Sequence, residues 1–180
     1  MPVTLRVGVL TVSDKAAQGQ RRDTSGPAIG ELLATVGAAV QRHDVVPDER
    51  EQIAARLRAW ADAEDLDLIV TTGGTGLAAR DVTPEATLDV VECLVPGLAE
   101  AMRAEGLRHT PMAMLTRAVA GVRGRCLILN LPGSEKGVRE SLSAVLAVLE
   151  HAVEMLRGEV GDHLASGATV QRPPDAPAPD

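Results

Sequence analysis

The chain has 180 residues, which suits one compact domain with a hydrophobic core. Its formal net charge of −7 argues against nonspecific nucleic-acid binding, because such binding depends on Lys and Arg side chains that neutralise phosphates. No apolar run reaches the roughly 18 residues that a membrane-spanning helix needs, and the first residues carry no signal-peptide pattern. We therefore expect a cytoplasmic protein whose partners include neither a membrane nor a nucleic acid.

Aromatic residues are almost absent, since Trp60 is the only one in the chain. The core must therefore be built from aliphatic side chains, and aromatic platforms on which bases stack are not available. The two cysteines, Cys93 and Cys126, stand in apolar surroundings without CxxC spacing. We expect both to be buried thiols in a reducing compartment, rather than a disulfide or a zinc site.

Strands and helices alternate in the first half of the chain. Apolar, β-branched stretches predict strands over residues 5–12, 39–46 and 66–72. Apolar residues at helical spacing predict helices over residues 27–37 and 49–63. The polar segment 15–25 predicts a surface loop. Such alternation is typical of an α/β sheet with parallel neighbouring strands.

The second half of the chain continues with shorter elements. The pattern predicts helices over residues 84–92, 98–107 and 111–115, and strands over residues 118–122 and 126–130. Thr83 is a candidate N-cap of the first of these helices. Ser134 is expected to cap a long last helix that ends near Arg157. The expected domain is thus residues 1–158, and the Pro-rich remainder, residues 159–180, is expected to be a disordered tail.

A glycine-rich loop, Thr72-Gly73-Gly74-Thr75-Gly76, follows the third predicted strand. Consecutive glycines allow the backbone to approach a ligand closely, their N–H groups can converge on an anion, and the threonines add hydroxyl donors. The pattern is neither the Walker loop nor the dinucleotide-binding fingerprint. Taken alone, it is equally compatible with a plain turn after a strand.

Two acidic residues, Asp48 and Asp81, follow predicted strands or the loops after them. In an open α/β sheet, ligands gather at the carboxyl ends of the strands. Two carboxylates at that edge suit metal–phosphate chemistry, because Mg²⁺ takes few carboxylates together with substrate phosphates. The alternative is that Asp48 and Asp81, or Thr83 beside the latter, only cap the helices that follow them.

Two further motifs also stand where predicted strands end. Ser13 and Asp14 follow the first strand, and Pro132, Gly133 and Ser134 follow the last one. Each motif alone fits a loop or a capped turn. Together, the motifs place N–H, hydroxyl and carboxylate groups, but no activated nucleophile, at one edge of the sheet. Such an edge suits the transfer of a phosphoryl or nucleotidyl group, in which positioning and charge stabilisation do most of the catalysis.

In order and spacing, these motifs resemble the MogA/MoaB family, whose domain also occurs in gephyrin and the plant Cnx proteins. The matching segments are residues 11–14, 46–49, 71–76, 81–86 and 130–134. The resemblance implies a three-layer α/β/α fold with a mostly parallel sheet, and a homotrimer. It also implies Mg²⁺-dependent transfer of AMP from ATP to molybdopterin with release of pyrophosphate, after which a partner enzyme inserts molybdate.

The resemblance also assigns roles to individual residues. Asp48 and Asp81 match acidic residues that are tied to catalysis, and they are the implied Mg²⁺ ligands. Phosphate, nucleotide or pterin binding is implied for Ser13, Asp14, Thr72, Gly73, Gly74, Thr75, Gly76, Pro132, Gly133 and Ser134. Residues 130–137 look more like the gephyrin and MogA type than like the poorly active members of the family.

Two alternative functions use the same domain. A non-catalytic, MoaB-like trimer would hold molybdopterin for partners without consuming ATP. Such a member is expected to have lost an acidic residue, whereas both acidic positions are filled in this chain. A nucleotide hydrolase related to the CinA proteins is the second alternative, although those proteins are usually longer and carry a further domain.

Overall fold

The computed structural model describes residues 5–63 and 66–158, and the expected tail at residues 159–180 lies outside the described residues. The strands are β1 (Arg6–Val12), β2 (Ala39–Val46), β3 (Leu68–Thr72), β4 (Cys93–Leu94), β5 (Ala120–Arg123) and β6 (Cys126–Leu131). The helices are α1 (Asp14–Ala17), α2 (Ser25–Ala34), α3 (Arg50–Ala63), α4 (Thr83–Leu88), α5 (Pro96–His109), α6 (Glu135–Ser143) and α7 (Leu146–Arg157), with a 3₁₀ helix at Pro111–Leu115. Among the described helices, none is long and apolar enough to cross a membrane.

The strands form one six-stranded sheet in the order β2-β1-β3-β6-β5-β4. Strand β1 pairs in parallel with both β2 and β3, and β3 pairs in parallel with β6. Strand β5 runs antiparallel to both β6 and β4. The predicted mostly parallel sheet is therefore confirmed. Because β1, β2, β3 and β6 run in the same direction, their carboxyl ends meet at one edge.

Helices cover both faces of this sheet, and the strand side chains alternate between the two faces. On one face, Val9 and Val70 belong to a buried apolar cluster that includes residues of α2, α5, α6 and α7. On the other face, Leu10 and Ile69 belong to a second cluster, which includes residues of α3 and α4. The predicted three-layer α/β/α fold is thus confirmed.

The last helical segment differs from the prediction of one long helix. It consists of α6 and α7, which meet at Val145. The N–H of Val145 donates to the carbonyl of Leu142, three residues back, at 3.1 Å, so the α-helical hydrogen-bond ladder is interrupted there. The start of α6 is as predicted, because the Ser134 hydroxyl accepts a hydrogen bond from the N–H of Gly137.

Other expectations were wrong at particular positions. Cys93 is exposed, because it lies on the short edge strand β4, whereas Cys126 is buried within β6 and burial raises the pKa of its thiol to about 12. The segment expected to be a surface loop contains α1, which Ser13 caps by accepting a hydrogen bond from a backbone N–H. Val82, and not Thr83, is the N-cap of α4, because the Thr83 side chain has a different partner.

Candidate active site

The carboxyl ends of the strands surround a cavity of about 330 Å³. Most of the residues that the motifs indicated line this cavity, namely Ser13, Asp48, Thr72, Gly73, Gly74, Asp81, Gly133 and Ser134. Four further candidates, Asp14, Thr75, Gly76 and Pro132, are not part of its lining. The parallel sheet therefore brings segments that are distant in the sequence to one site.

The loop after β3 adopts a backbone conformation that requires glycine. Gly73 has a φ of +100°, and a Cβ built on it would lie 2.2 Å from the carbonyl oxygen of Val12. Gly74 has a φ of +63°, and its Cβ would lie 2.4 Å from Oγ1 of Thr83. The two glycines thus allow the end of β1, the loop and the start of α4 to approach more closely than side chains would permit.

Threonine hydroxyls fasten this loop to its neighbours. The hydroxyl of Thr83 donates to the carbonyl of Gly73 at 2.8 Å, and the N–H of Thr83 donates to the carbonyl of Gly74 at 3.1 Å. The hydroxyl of Thr72 donates to the carbonyl of Pro132 at 2.7 Å. The sequence indicates Thr72 as a hydroxyl donor to a ligand, whereas the structure directs its proton to the turn after β6. Thr72 therefore fixes the glycine loop relative to that turn.

Asp14 and Asp48 link the ends of β1 and β2 through reciprocal hydrogen bonds. The N–H of Asp14 donates to Oδ2 of Asp48 at 2.8 Å, and the N–H of Asp48 donates to Oδ1 of Asp14 at 3.0 Å. Arg80 donates to both carboxylate oxygens of Asp14 and also pairs with Glu49, and its hydrogen bonds lower the pKa of Asp14. Burial, together with the negative charges of Asp14 and Asp81, raises the pKa of Asp48.

Asp81 lines the cavity just before α4. Its Oδ2 accepts a hydrogen bond from the N–H of Ala78 at 2.9 Å, and a Cβ on Gly76 would lie 2.8 Å from the same oxygen. The side chain of Arg117 donates to the carbonyls of Gly76 and Asp81 and pairs with Glu85, so it holds this loop from the outside. No motif pointed to Arg117, because it comes from a separate segment of the chain.

Asp48 and Asp81 leave carboxylate oxygens available to a ligand. Oδ1 of each side chain accepts no hydrogen bond from the described residues. A raised pKa means that the ionised form of Asp48 is disfavoured, and a bound cation would relieve that cost. Within residues 5–63 and 66–158, no three His, Cys, Asp or Glu side chains form a metal-binding group. The pair fits Mg²⁺, which is held by one or two carboxylates together with waters and substrate phosphates.

A buried polar network lies under the glycine loop. The side-chain amide of Asn130, which is fully buried, donates to the hydroxyl of Thr71 at 3.0 Å and to that of Thr87 at 2.9 Å. Its carbonyl oxygen accepts a hydrogen bond from the N–H of Val119 at 3.2 Å. Asn130 therefore holds β6, β3 and α4 together, which explains a polar residue within an apolar strand.

A second, more apolar cavity of about 240 Å³ adjoins the first one. Its walls come from α5, the 3₁₀ helix and α6, and its lining includes Met102, Ala113 and Pro132. Ser134 lines both cavities, so the turn after β6 forms the boundary between them. Sequence reasoning missed this cavity, because the helices that form most of its wall carry no recognisable motif.

The fold and the two cavities define an α/β protein with a polar cavity at the carboxyl ends of a parallel sheet, the place where ligands gather in such folds. Residues 8–151 match the family described as a probable molybdopterin binding domain. Because this match covers most of the sequence, the chain belongs to that family. The resemblance that the strand-end motifs indicated is therefore confirmed.

Relatives with assigned names support the same grouping. The molybdopterin adenylyltransferase of Helicobacter pylori strain J99 is 43% identical over 157 residues, which cover 86% of this chain and 89% of that protein. The molybdopterin adenylyltransferase of Escherichia coli K12 is 41% identical over 144 residues, covering 79% of this chain and 74% of that protein. The molybdenum cofactor synthesis protein cinnamon of Drosophila melanogaster is 43% identical over 93% of this chain, but this chain spans only 28% of its length.

Solved structures share the fold. The molybdopterin biosynthesis enzyme MoaB of Thermus thermophilus has a TM-score of 0.82 and 61% identity, covering 86% of this chain and 98% of that chain. A MogA structure has a TM-score of 0.80 and 40% identity, covering 84% of this chain and 99% of that chain. A CinA protein of Thermoplasma acidophilum has a TM-score of 0.60 at 21% identity over 81% of this chain and 98% of that chain, so it shares the fold alone.

Proposed function

We propose that this protein is a Mg²⁺-dependent molybdopterin adenylyltransferase, which transfers AMP from ATP to molybdopterin and releases pyrophosphate. The observation that carries the proposal is the meeting of Asp48 and Asp81 with the Gly73 and Gly74 loop at one cavity. Membership of the molybdopterin binding family supports it, as do relatives of 41% and 43% identity that are named molybdopterin adenylyltransferases.

The residues around the polar cavity suit the chemistry of this transfer. An oxygen of molybdopterin attacks the α-phosphorus of ATP, and the bond from that phosphorus to the leaving pyrophosphate breaks. Asp48 and Asp81 would hold Mg²⁺, which would neutralise phosphate charge when bound. The N–H of Gly73 already donates to the carbonyl of Leu131 at 3.2 Å. The N–H groups of Gly74, Gly133 and Ser134 therefore orient the phosphates in this proposal. No protein nucleophile takes part, because positioning and charge stabilisation suffice.

Three of the remaining candidates act by positioning in this proposal. Asp14 supports Asp48 through the reciprocal backbone hydrogen bonds between them. Ser13, which caps α1 and lines the cavity, holds the end of β1 in place. The hydroxyl of Thr72 sets the separation between the glycine loop and the turn after β6.

The apolar cavity gives a place for the flat, fused ring of a substrate. Binding pockets for such rings are mostly apolar and carry a few polar groups, and Met102, Ala113 and Ser134 supply that combination here. Because Ser134 lines both cavities, one ligand can place its phosphate groups in the polar cavity and its ring in the apolar one.

Pyrophosphate release from ATP and Mg²⁺, with and without molybdopterin, tests the proposed function. We expect release only when molybdopterin is present. Asp81→Asn keeps the shape of the side chain but removes its charge, and we expect it to lower turnover about 100-fold. Asp62→Asn is the matched control, because Asp62 pairs with Arg123 away from the cavity. Equal turnover of the two variants would remove Asp81 from the catalytic site.

A second candidate function is a molybdopterin-binding protein that does not consume ATP. The structure at 61% identity is named the molybdopterin biosynthesis enzyme MoaB, and that name does not mention adenylyl transfer. Binding of molybdopterin without release of pyrophosphate would establish this function instead. Hydrolysis of a nucleotide in the absence of molybdopterin would indicate the CinA-like alternative.

We also propose that the chain works as a cytoplasmic homotrimer and passes its product to a molybdate-inserting enzyme. Sedimentation equilibrium tests the assembly, and a particle mass other than three chains would contradict it. Transfer of the adenylylated product to a molybdate-inserting partner is tested by adding that partner and molybdate to the reaction.

A further inference from the structure

Arg21 and Arg22 lie on the loop between α1 and α2 and line the polar cavity. Both residues are exposed, and neither side chain has a partner among the described residues. The backbone before them is anchored, because the N–H groups of Gln20 and Arg21 donate to the carbonyl of Lys15 at 2.8 and 3.2 Å. The two guanidinium groups thus do nothing for the fold, and they are available to a ligand in the cavity.

Asp23 anchors the other side of this short loop. Its Oδ1 accepts hydrogen bonds from the N–H groups of Ser25 and Gly26, each at 3.0 Å, at the start of α2. Its Oδ2 accepts the hydroxyl hydrogen of Thr11 at 2.6 Å and lies 3.0 Å from Nε2 of His43. Both carboxylate oxygens of Asp23 therefore already have hydrogen-bond partners within the fold. These bonds fix the loop that carries the two arginines beside the cavity.

The charge of the cavity lining shows why the two arginines matter. Among the described residues, the acidic side chains of the lining are Asp23, Asp48 and Asp81, and its cationic side chains are Arg21 and Arg22. A polyphosphate carries several negative charges, which the carboxylates would repel if nothing compensated them. Arg80 is nearby, but Asp14 and Glu49 already bind its guanidinium group. The first N–H groups of α2 are likewise taken by Asp23.

We propose that Arg21 and Arg22 bind the polyphosphate tail of the nucleotide and retain the pyrophosphate group that leaves. This inference rests on the proposed function and adds residues to its site. Guanidinium groups suit the task, because their planar forks donate two hydrogen bonds to phosphate oxygens and stay charged at any working pH. Asp23 acts as the positioning residue that holds the pair beside the cavity.

Titration of the full chain with pyrophosphate, in the presence of Mg²⁺ and at constant low salt, tests this assignment. We expect Arg21→Ala and Arg22→Ala each to weaken binding about tenfold, the factor for one lost charge-assisted hydrogen bond. Arg125→Ala is the matched control, because Arg125 is an exposed arginine in the turn between β5 and β6 and does not line the cavity. Melting temperatures should not change, since the replaced side chains are exposed.

The same variants separate a failure of this inference from a failure of the proposed function. If the double variant binds pyrophosphate within twofold of the wild type and keeps its KM for ATP, the arginines are not the phosphate ligands, although adenylyl transfer by the wild type would stand. If the wild type releases no pyrophosphate with molybdopterin present, the proposed function fails. Loss of pyrophosphate binding in the double variant would then still locate an anion site at Arg21 and Arg22.

Discussion

Gly73 lies so close to the end of β1 that a Cβ would meet the carbonyl oxygen of Val12 at 2.2 Å, and its φ of +100° disfavours any side chain. We expect Gly73→Ala to lose about 1–3 kcal/mol of stability from the backbone conformation alone, and more from the clash. Gly97→Ala is the matched control, because Gly97 in α5 has nothing near its Cβ position and alanine favours the helix. Urea unfolding measures both variants, and equal midpoints would contradict the geometry.

At Asp48, the charge that the site needs reduces the stability of the fold. Burial raises the pKa of this carboxyl group, so its ionised form is less favourable in the folded chain than in the unfolded chain. The resulting loss of folding free energy is present at pH values above the raised pKa. It disappears as the pH falls below the ordinary value for Asp, where the carboxyl group is protonated in both the folded and the unfolded chain. We expect Asp48→Asn to raise the melting temperature at neutral pH while it abolishes turnover, with a smaller gain at about pH 4.

Asp62→Asn is the control of opposite sign. The hydrogen bond from Arg123 lowers the pKa of Asp62, so its ionised form stabilises the folded chain at neutral pH. Because the Asp62 side chain is 52% exposed, solvent screening keeps this contribution small. This variant should therefore melt at the wild-type temperature or slightly below it, and keep its turnover. Thermal melts of both variants at neutral pH and at about pH 4 test these expected shifts in melting temperature. A lower melting temperature for Asp48→Asn at neutral pH would show that burial does not penalise its charge.

Half of the residues that line the polar cavity were candidates in the sequence, because they follow parallel strands and such strand ends meet at one edge. The partners of those residues were not predictable from spacing. The motif that contains Thr72 shows where its hydroxyl lies along the chain, but not that it bonds to Pro132. Arg117 belongs to no strand-end motif, and Arg21 and Arg22 stand in the polar loop after Ser13 and Asp14, which by itself fits a solvated loop. Only the folded chain shows that Arg117 contacts the loop after β3 and that the other two line the cavity.

Asp67 joins β1, β3 and α7 at the edge of the sheet opposite the cavity. It precedes β3, accepts hydrogen bonds from the N–H and side chain of Arg6 in β1, and pairs with Arg157 of α7. Its side chain is only 5% exposed. Burial alone would raise the pKa of Asp67, but the hydrogen bonds from the two arginines outweigh burial and lower it. The ionised carboxylate thus ties the end of the chain's last described helix to the sheet.

We expect Asp67→Asn to destabilise the protein by about 1.5–3 kcal/mol, because it removes the ionised carboxylate that accepts hydrogen bonds from Arg6 and Arg157. Since the pKa of Asp67 is lowered, the wild-type contribution is present above the ordinary Asp value and is lost as the pH falls through the lowered pKa. Urea unfolding at neutral pH measures the loss. Asp89→Asn, which breaks the exposed pair with Arg50, should change little. Equal effects of the two variants would refute a structural role for the cluster.

The existence of the elements followed from apolar periodicity, but some of their limits did not. Leu142, Val145 and Leu149 face the same core cluster, so the helical pattern continues across the break between α6 and α7. The hydrogen bond from the N–H of Val145 to the carbonyl of Leu142 interrupts the helix. The spacing of apolar residues does not reveal this interruption. Strand β4 was missed because it has only two residues and is exposed, so no alternating pattern marks it.

This protein is acidic as a whole, yet its proposed substrates are anions. The net charge of −7 cannot attract ATP from a distance, so the attraction has to be local. Local cations and backbone N–H groups supply it at the polar cavity, while the adjoining apolar cavity contributes contact area without charge. The turn at Ser134 belongs to both cavities. The proposed function thereby separates charge recognition and ring recognition in space, and it predicts that each can be changed independently.

Ala113→Phe tests that separation. Ala113 is half-buried in the 3₁₀ helix and lines the apolar cavity, so a phenyl ring can enter the space proposed for a fused ring. We expect the KM for one ring-bearing substrate to rise about tenfold, the equivalent of roughly 1.4 kcal/mol, while pyrophosphate binding stays unchanged. Ala34→Phe, on the exposed end of α2, is the control for added bulk. Steady-state kinetics and pyrophosphate titration give the two readouts. If the KM rises and pyrophosphate binding weakens by the same factor, the two cavities act as one site. If neither changes, the ring binds elsewhere.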